Sequence, residues 1–225
     1  EILNSIRVKI KIDFKNVMAS FASQLQACRQ APSSRLVLLA RRGCYVVHGR
    51  LFSSPPTGYR DVRFTELPFV DPTRSFLHCN PHLTLRYFVE QREATATSSY
   101  VGRRLKSRVH FGHGVEGPPD HVHGGCMAAL MDEMMGFGAW SNGHAVVAGE
   151  ITVRFEAATL ITAKVACDAW IDRVEGRKVF MRAEARVDEE DGLLLGSSRG
   201  VFIEIDQSAH LERIAKRREA AARAD

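Results

Sequence analysis

Apolar and polar residues alternate along much of the second half of the chain, and this period of two predicts half-buried β-strands. Leu83, Leu85, Tyr87 and Val89 alternate with neighbours that include charged residues, which predicts a first strand. A second strand is expected within 103–111. Four more alternating runs follow, at 146–155, 163–171, 179–187 and 193–205.

An almost uninterrupted apolar run between the second and third of these strands predicts a long α-helix, from about Gly124 to Trp140. Ala, Leu and Met favour the helix, and the sequence 141–143, Ser-Asn-Gly, is a stop signal. Because apolar residues fall on every face, we expect the helix to be buried. A carboxylate inside such a helix is costly unless it is paired or used, so Asp132 is the first candidate functional residue.

The connections between the strands indicate how the sheet is built. Polar, Gly-containing segments at 175–178 and 188–192 predict hairpin turns, and strands joined by hairpins form an antiparallel sheet. We therefore expect an α+β fold in which an antiparallel sheet wraps around one long central helix. Prolines cluster at 55–81, as in a linker or irregular wrap. This predicts an N-terminal extension at 1–75, the main domain at 76–206 and a charged C-terminal helix at 207–225.

The composition is that of a globular protein, with 225 residues, 45% of them hydrophobic and 25% charged. The net charge of +5 is concentrated near the N-terminus: residues 15–60 contain no acid and contribute +7, and residues 1–13 contribute +1, which leaves −3 for residues 61–225. The high isoelectric point therefore does not indicate a nucleic-acid-binding domain. No apolar stretch reaches the roughly 20 residues that a membrane-spanning helix needs.

The acid-free segment is rich in Arg and Ser around residues 36–43 and 50–54, as organellar transit peptides are. The segment predicts either an organellar transit peptide, with a mitochondrial location, or a basic extension that stays on the mature chain, with a cytoplasmic location. The five cysteines are widely scattered with no metal-like spacing, so we expect free thiols, no disulfide and no metal site.

The start of the predicted helix carries the strongest candidate chemistry. Gly124 and Gly125 leave the first backbone N–H groups uncovered, at the positive end of the helix dipole, where they can polarise a carbonyl oxygen. Asp132 lies nine residues after His123, about 13 Å along the helix axis, so a site using both requires a substrate or partner chain along the helix. The alternative is that Asp132 or Glu133 pairs with an Arg at a subunit interface.

Two motifs resemble a known family. The sequence 117–125, GPPDHVHGG, followed by the helix with Asp132, and the sequence 174–180, VEGRKVF, are similar to the hotdog-fold acyl-CoA thioesterases, in particular their mitochondrial branch. The resemblance covers roughly residues 76–206. It implies hydrolysis of acyl-CoA in lipid metabolism, a homodimer or dimer of dimers with active sites at the interface, and no metal or redox cofactor, since coenzyme A enters only as part of the substrate.

The resemblance also implies residue roles. Gly125 and its neighbouring backbone N–H would polarise the thioester carbonyl, His123 would shape that site, and Asp132 of the opposite subunit would be nucleophile or general base. Arg177 and Lys178 would bind coenzyme A phosphates, unless they are ordinary solvated turn residues.

The chain departs from the family pattern at two positions. Ala148 stands where this branch has a Thr or Ser hydroxyl that positions the attacking water, so that either activity is reduced or Thr152 or Ser141 takes its place. Gly117 stands where related branches have Asn.

Ala148, together with the N-terminal extension and the charged C-terminal helix, leaves a second hypothesis beside the enzyme. The chain would then be a catalytically weakened or inactive hotdog subunit with a structural role in a larger, mitochondrial assembly. A hydratase of the same fold is a weaker third alternative. The large side chains of the helix either line an acyl tunnel or form plain core; they are Met131, Met134, Met135, Phe137 and Trp140.

Overall fold

A computed structural model describes residues 7–10, 54–63, 66 and 75–222 of the chain. The described residues form one sheet and two α-helices. In chain order the elements are β1 (Arg7–Ile10), β2 (Tyr59–Val62), β3 (Leu83–Glu90), β4 (Val101–Phe111), a 3₁₀ turn (His113–Val115), α1 (Gly124–Ser141), β5 (Val146–Phe155), β6 (Lys164–Glu175), β7 (Lys178–Val187), β8 (Leu194–Glu204) and α2 (Gln207–Ala222).

The sheet has the strand order β1-β5-β8-β7-β6-β4-β3-β2. Every neighbouring pair is antiparallel except β1 and β5. All six strands predicted from the alternating pattern are present, and both predicted hairpin turns link adjacent strands. The α+β architecture, a sheet wrapped around one long helix, is therefore confirmed.

The strands place their alternate residues against α1. In β4 the buried positions are Leu105, Ser107, Val109 and Phe111, and the residues between them point to the outer face of the sheet. Helix α1 contacts β4, β5, β6, β7 and β8. The inner face of the sheet and one side of α1 thus form a continuous apolar core.

Strands β1 and β2 were not predicted. In β1, Val8 and Ile10 alternate with Arg7 and Lys9, but this run was too short to be recognised as a strand, and β2 shows no alternation. β2 lies in the proline-rich segment and pairs with β3. A turn at 75–80 follows, and it buries Leu77 against the core. The transit-like residues 36–43 and 50–53 lie outside the described residues, as do Cys28 and Cys44. The division into domains stays a prediction.

Helix α1 has the predicted position and ends at Ser141, where Asn142 bonds the end of the helix to β4. The Asn142 side chain accepts from the Arg103 N–H and donates to the carbonyls of Arg103 and Gly138. No helix in the described part of the chain is long and apolar enough to cross a membrane.

The expectation that α1 is buried on every face is wrong. Large side chains such as Leu130, Met131, Met134 and Met135 are fully buried. The opposite side carries small or acidic residues at helical spacing, and it stays partly or fully exposed. The two faces of α1 differ in side-chain size more than in polarity. The pattern of apolar residues in the sequence therefore did not distinguish them. The open face consists of Gly125, Ala128, Ala129, Asp132 and Gly136.

Candidate active site

The loop before α1 holds His123 at the helix N-terminus. The His123 N–H donates to the Val115 carbonyl and the Val122 N–H donates to the Thr159 carbonyl, both at 2.9 Å. A Cβ at Gly117 would lie 2.9 Å from the His123 Cα. Glycine at 117 therefore lets the two segments of the loop approach closely enough to set the position of His123.

His123 caps the helix with its own ring. The Gly125 N–H donates to His123 Nδ1 at 2.9 Å, while the Cys126 and Met127 N–H groups donate to the His123 carbonyl. Gly124 and Gly125 are both exposed. The structure thus brings His123 and Gly125 together. The Gly125 N–H, which was expected to polarise a carbonyl, donates its hydrogen bond to the imidazole.

Asp132 lies on the open face of α1, two turns after Gly125 and about 10 Å from it along the axis. Among the described residues, Arg included, none forms a hydrogen bond or ion pair with its carboxylate. One side of the Asp132 side chain is exposed to solvent. Desolvation of the rest of it nevertheless raises the pKa of Asp132 to about 6, and the charge of Glu133 is the second cause. A carboxylate with a pKa near 6 is suited to act as a general base at neutral pH.

Glu133, the neighbour of Asp132, points toward a buried cluster that sequence reasoning missed. Its Oε1 lies 3.2 Å from His78 Nε2, and the Tyr87 hydroxyl lies 3.2 Å from the same nitrogen. His78 comes from the turn at 75–80 and Tyr87 from β3. No spacing or motif in the sequence connects these residues, because only the packing of the turn against α1 joins them.

Ala148 carries a methyl group at the position where the resemblance implies a hydroxyl. Ala148 packs against the core beside a register shift in β5. Thr152 lies between the buried Ile151 and Val153, so it points to the outer face of the sheet. Ser141 donates to the Gly138 carbonyl at the far end of α1, about 13 Å along the axis from Asp132. Neither hydroxyl lies where it could replace the missing one in the same chain.

Arg177 and Lys178 lie at the tip of the β6–β7 hairpin and are exposed. Arg177 donates from Nε and Nη2 to the Glu204 carbonyl at 3.2 and 2.7 Å. This hairpin lies beside the end of β8. The last residues of β8 pair with the start of β5, and β5 follows the C-terminus of α1. Within one chain, both cations are therefore at the opposite end of α1 from His123 and Gly125.

A pocket of about 270 Å³ opens near the C-terminal end of α1. Its lining includes Phe137, Trp140, Val62, Val89 and Arg60. Met131, Met134 and Met135 are fully buried, so these three belong to the core. In the described part of the chain, no group of three or more His, Cys, Asp or Glu side chains is placed to hold a metal ion.

Comparison with known proteins identifies the region that carries these residues. Residues 120–193 match the family model of the thioesterase superfamily. The chain contains a thioesterase superfamily domain. Its fold is the hotdog fold expected from the two motifs. His123, Gly125, Asp132, Ala148 and the hairpin cations all lie within the matched part of this thioesterase domain.

Two curated relatives extend the match. The acyl-coenzyme A thioesterase THEM4 of Xenopus laevis is 31% identical over 103 residues, which cover 46% of this chain and 46% of that protein. The acyl-coenzyme A thioesterase THEM5 of Homo sapiens is 31% identical over 91 residues, covering 40% of this chain and 36% of that protein. The chain thus spans less than half of the length of either relative.

Among solved structures, the thioesterase domain is similar to a crystal structure of a thioesterase superfamily protein. The identity is 26%, the TM-score is 0.40, and the alignment covers 45% of this chain and 49% of the other.

Proposed function

We propose that this protein is an acyl-CoA thioesterase, which hydrolyses an acyl-CoA thioester to a free acid and coenzyme A. The observation that carries the proposal is the pairing, on one open face of α1, of the exposed helix N-terminus at Gly125 with the exposed carboxylate of Asp132. The curated relatives, both named acyl-coenzyme A thioesterases, support the same substrate class.

The proposed chemistry follows from the two groups. The Gly125 N–H and the positive end of the α1 dipole draw electrons toward the thioester oxygen and stabilise the oxyanion that forms there. Asp132, acting as general base, takes a proton from water while the water oxygen attacks the carbonyl carbon. The C–S bond then breaks, and the sulfur of coenzyme A leaves with the proton that Asp132 accepted. In the covalent form of the same reaction, Asp132 attacks the carbonyl carbon directly and coenzyme A leaves as the thiolate. Water then cleaves the resulting anhydride, which gives the free acid and the Asp132 carboxylate, and the remaining proton goes to the thiolate.

A homodimer supplies the two groups to one site. In a single chain Gly125 and Asp132 are about 10 Å apart along the axis, too far to reach the same thioester. Ala128 and Ala129 lie halfway between Gly125 and Asp132 along α1. A two-fold axis passing near these two alanines would set Asp132 of one copy beside Gly125 of the other. Their small side chains allow two α1 helices to approach closely. A dimer of dimers would keep this pairing.

Arg177 and Lys178 are proposed to contact the phosphates of coenzyme A from the partner subunit. They lie at the far end of α1, and a two-fold operation would carry them toward the other copy's helix N-terminus. Lys178 has the more open cation, since the Arg177 guanidinium already donates to the Glu204 carbonyl. The basic, acid-free segment at 15–60 supports a mitochondrial location for this activity.

A second candidate function rests on Ala148. With a methyl group at that position, and with Thr152 and Ser141 pointing elsewhere, the attacking water loses a positioning hydroxyl. The domain would then serve as a catalytically weakened or inactive subunit of a larger assembly.

Thiol release from a panel of acyl-CoAs of different chain length tests the proposal. Asp132→Asn is expected to lower the rate by a factor of 100 or more, on the order of what a general base contributes. Asp191→Asn, at an exposed turn residue with a φ of +53° that Asn tolerates, is the matched control and should keep the wild-type rate. Equal rates for Asp132→Asn and wild type would remove Asp132 from the mechanism. No release from any acyl-CoA, with stoichiometric co-purification in a large complex, would favour the structural role.

A further inference from the structure

The pocket of about 270 Å³ at the C-terminal end of α1 is built in large part by segments outside the family match at 120–193. These segments are β2, β3 and the start of α2, and the residues that they contribute to the lining include Arg60, Val62, Val89 and Gln207. Gly125 and Asp132, the two groups proposed for hydrolysis, do not line it. The proposed chemistry therefore leaves this pocket without a role.

The walls of the pocket are apolar where they are buried and charged where they are exposed. Val62, Val89 and Phe137 are all buried. The side chains of Arg60 and Glu66, which also line the pocket, are 52% and 50% exposed and lie 3.8 Å apart. The volume is close to the lower end of the range for small-molecule sites, roughly 300–1,000 Å³. The buried part of the pocket thus suits a hydrocarbon group of limited size.

A strip of α1 that is not buried leads from Asp132 to this pocket. Asp132, Gly136 and Trp140 follow one another at intervals of one helical turn, and all three are partly or fully exposed. Gly136 has no side chain, and a Cβ at this position would lie 3.8 Å from the Phe202 ring. The surface between the candidate base and Trp140 is therefore open.

Trp140 forms a fixed wall at the end of this strip. Its indole Nε1 donates to the Val146 carbonyl at 3.2 Å, so the ring lines the pocket without leaving its N–H unsatisfied. Trp140 lies eight residues after Asp132, about 12 Å along the helix axis. An extended hydrocarbon chain of about ten carbons spans that distance.

We propose that this pocket receives the far end of the acyl chain and so selects acyl-CoAs with chains of about ten to twelve carbons. This inference rests on the proposed function, because the chain reaches the pocket only from a carbonyl carbon held at Asp132. The acyl tail and the base then belong to the same subunit, and the N–H that polarises the carbonyl comes from Gly125 of the partner subunit.

The position of the pocket also keeps the tail apart from coenzyme A. The pocket lies between α1 and the strands β2 and β3, to which Val62 and Val89 belong. Arg177 and Lys178, the proposed phosphate contacts, lie instead beside the end of β8. The two parts of the substrate thus leave the carbonyl toward different sides of α1.

Two substitutions of one residue test the selection of chain length. Val62→Phe fills the pocket and is expected to lower kcat/KM for dodecanoyl-CoA about tenfold relative to butanoyl-CoA. Val62→Ala enlarges the pocket and should move the preferred chain length upward by about one carbon. A loss of stability alone does not shift the preference in opposite directions. Val101→Phe, at a 44% exposed position outside the pocket lining, is the matched control and should keep the wild-type profile.

Fluorescence of Trp140 gives a second test that needs no turnover. The chain has two tryptophans, so Trp170→Phe, on the outer face of the sheet, leaves Trp140 as the single emitter. The dodecyl thioether of coenzyme A, which cannot be hydrolysed, should change the Trp140 emission, whereas coenzyme A alone should not. The same change should be weaker when Val62→Phe is added. Binding of the thioether without a change in Trp140 emission overturns the inference.

The outcomes separate this inference from the proposed function. Hydrolysis with the same chain-length profile in wild type, Val62→Phe and Val62→Ala keeps the proposed function and overturns the role of the pocket. A Trp140 response to the thioether in a protein that hydrolyses no acyl-CoA keeps the pocket as an alkyl-chain site and overturns the proposed function. Opposite shifts of the profile, together with the Trp140 response, support both.

Discussion

The imidazole Nδ1 of His123 accepts the hydrogen bond that the Gly125 backbone N–H donates, at 2.9 Å. This bond satisfies one of the N–H groups that a helix start leaves without an intrahelical partner. It also occupies the donor that the proposed reaction needs for the thioester oxygen. A bound carbonyl must therefore share this N–H with the imidazole or displace it.

Replacing His123 with Ala removes the cap and is expected to lower the free energy of unfolding by about 1 kcal/mol. Urea unfolding followed by circular dichroism measures the change. His113→Ala is the control, because His113 lies in the same loop with a side chain that is 75% exposed. Equal stability of the His123→Ala variant and wild type would mean that the ring bond contributes nothing to holding the start of α1.

Asp132→Asn should stabilise the protein at high pH while it removes activity. The folded pKa of about 6 lies above the ordinary value of 3.8, so between these values the folded chain holds more protons than the unfolded chain and stability falls as pH rises through that window. At pH 8 the variant is expected to gain about 1 kcal/mol, discounted for the exposure of Asp132. Below pH 4 the gain should vanish.

Urea unfolding at pH 4 and pH 8 compares the two proteins directly. Asp191→Asn again serves as the control, since its carboxylate is exposed. If wild type and Asp132→Asn had the same free energy of unfolding at both pH values, the folded state would not disfavour the charged form of Asp132.

Ala129→Leu tests the pairing of two α1 helices. Ala129 is at the centre of the open face, where a bulky side chain would push the helices of a homodimer apart. Sedimentation or light scattering is expected to show loss of the dimer, and thioester hydrolysis should fall with it. Ala209→Leu on the exposed start of α2 is the matched control. A variant that stays dimeric and active would place the interface elsewhere.

Ala148→Thr restores the hydroxyl of the family pattern at a partly buried position of β5. If a missing hydroxyl limits turnover, kcat should rise about tenfold, a modest share of what a positioned polar group contributes to catalysis. Thr152→Val, on the outer face of the same strand, should leave kcat unchanged. A variant with wild-type kcat and an unaltered fold would show that water is positioned by another group.

Local pattern was sufficient for the elements and for part of the site. Alternation over residues such as Ile151, Val153 and Phe155 is a property of neighbouring positions, and so are the helix start at Gly124 and its stop at Asn142. The Gly-Gly pair and the carboxylate nine residues after His123 could be placed on one helix for the same reason. The strands at 59–62 and 7–10 could not, because short strands depend on the partner strand for their hydrogen bonds.

What the sequence by itself determined is therefore the order of strands and helix and the position of the candidate residues on α1 and at its start. Tertiary structure alone decided that α1 has an open face, because Gly, Ala and Met are all apolar and only packing sorts them by size. It alone joined Glu133 to His78 and Tyr87, which lie 55 and 46 positions away in the chain. Contacts over such separations arise from the way the sheet and the turn at 75–80 pack around the helix. Local periodicity in the sequence therefore does not predict them.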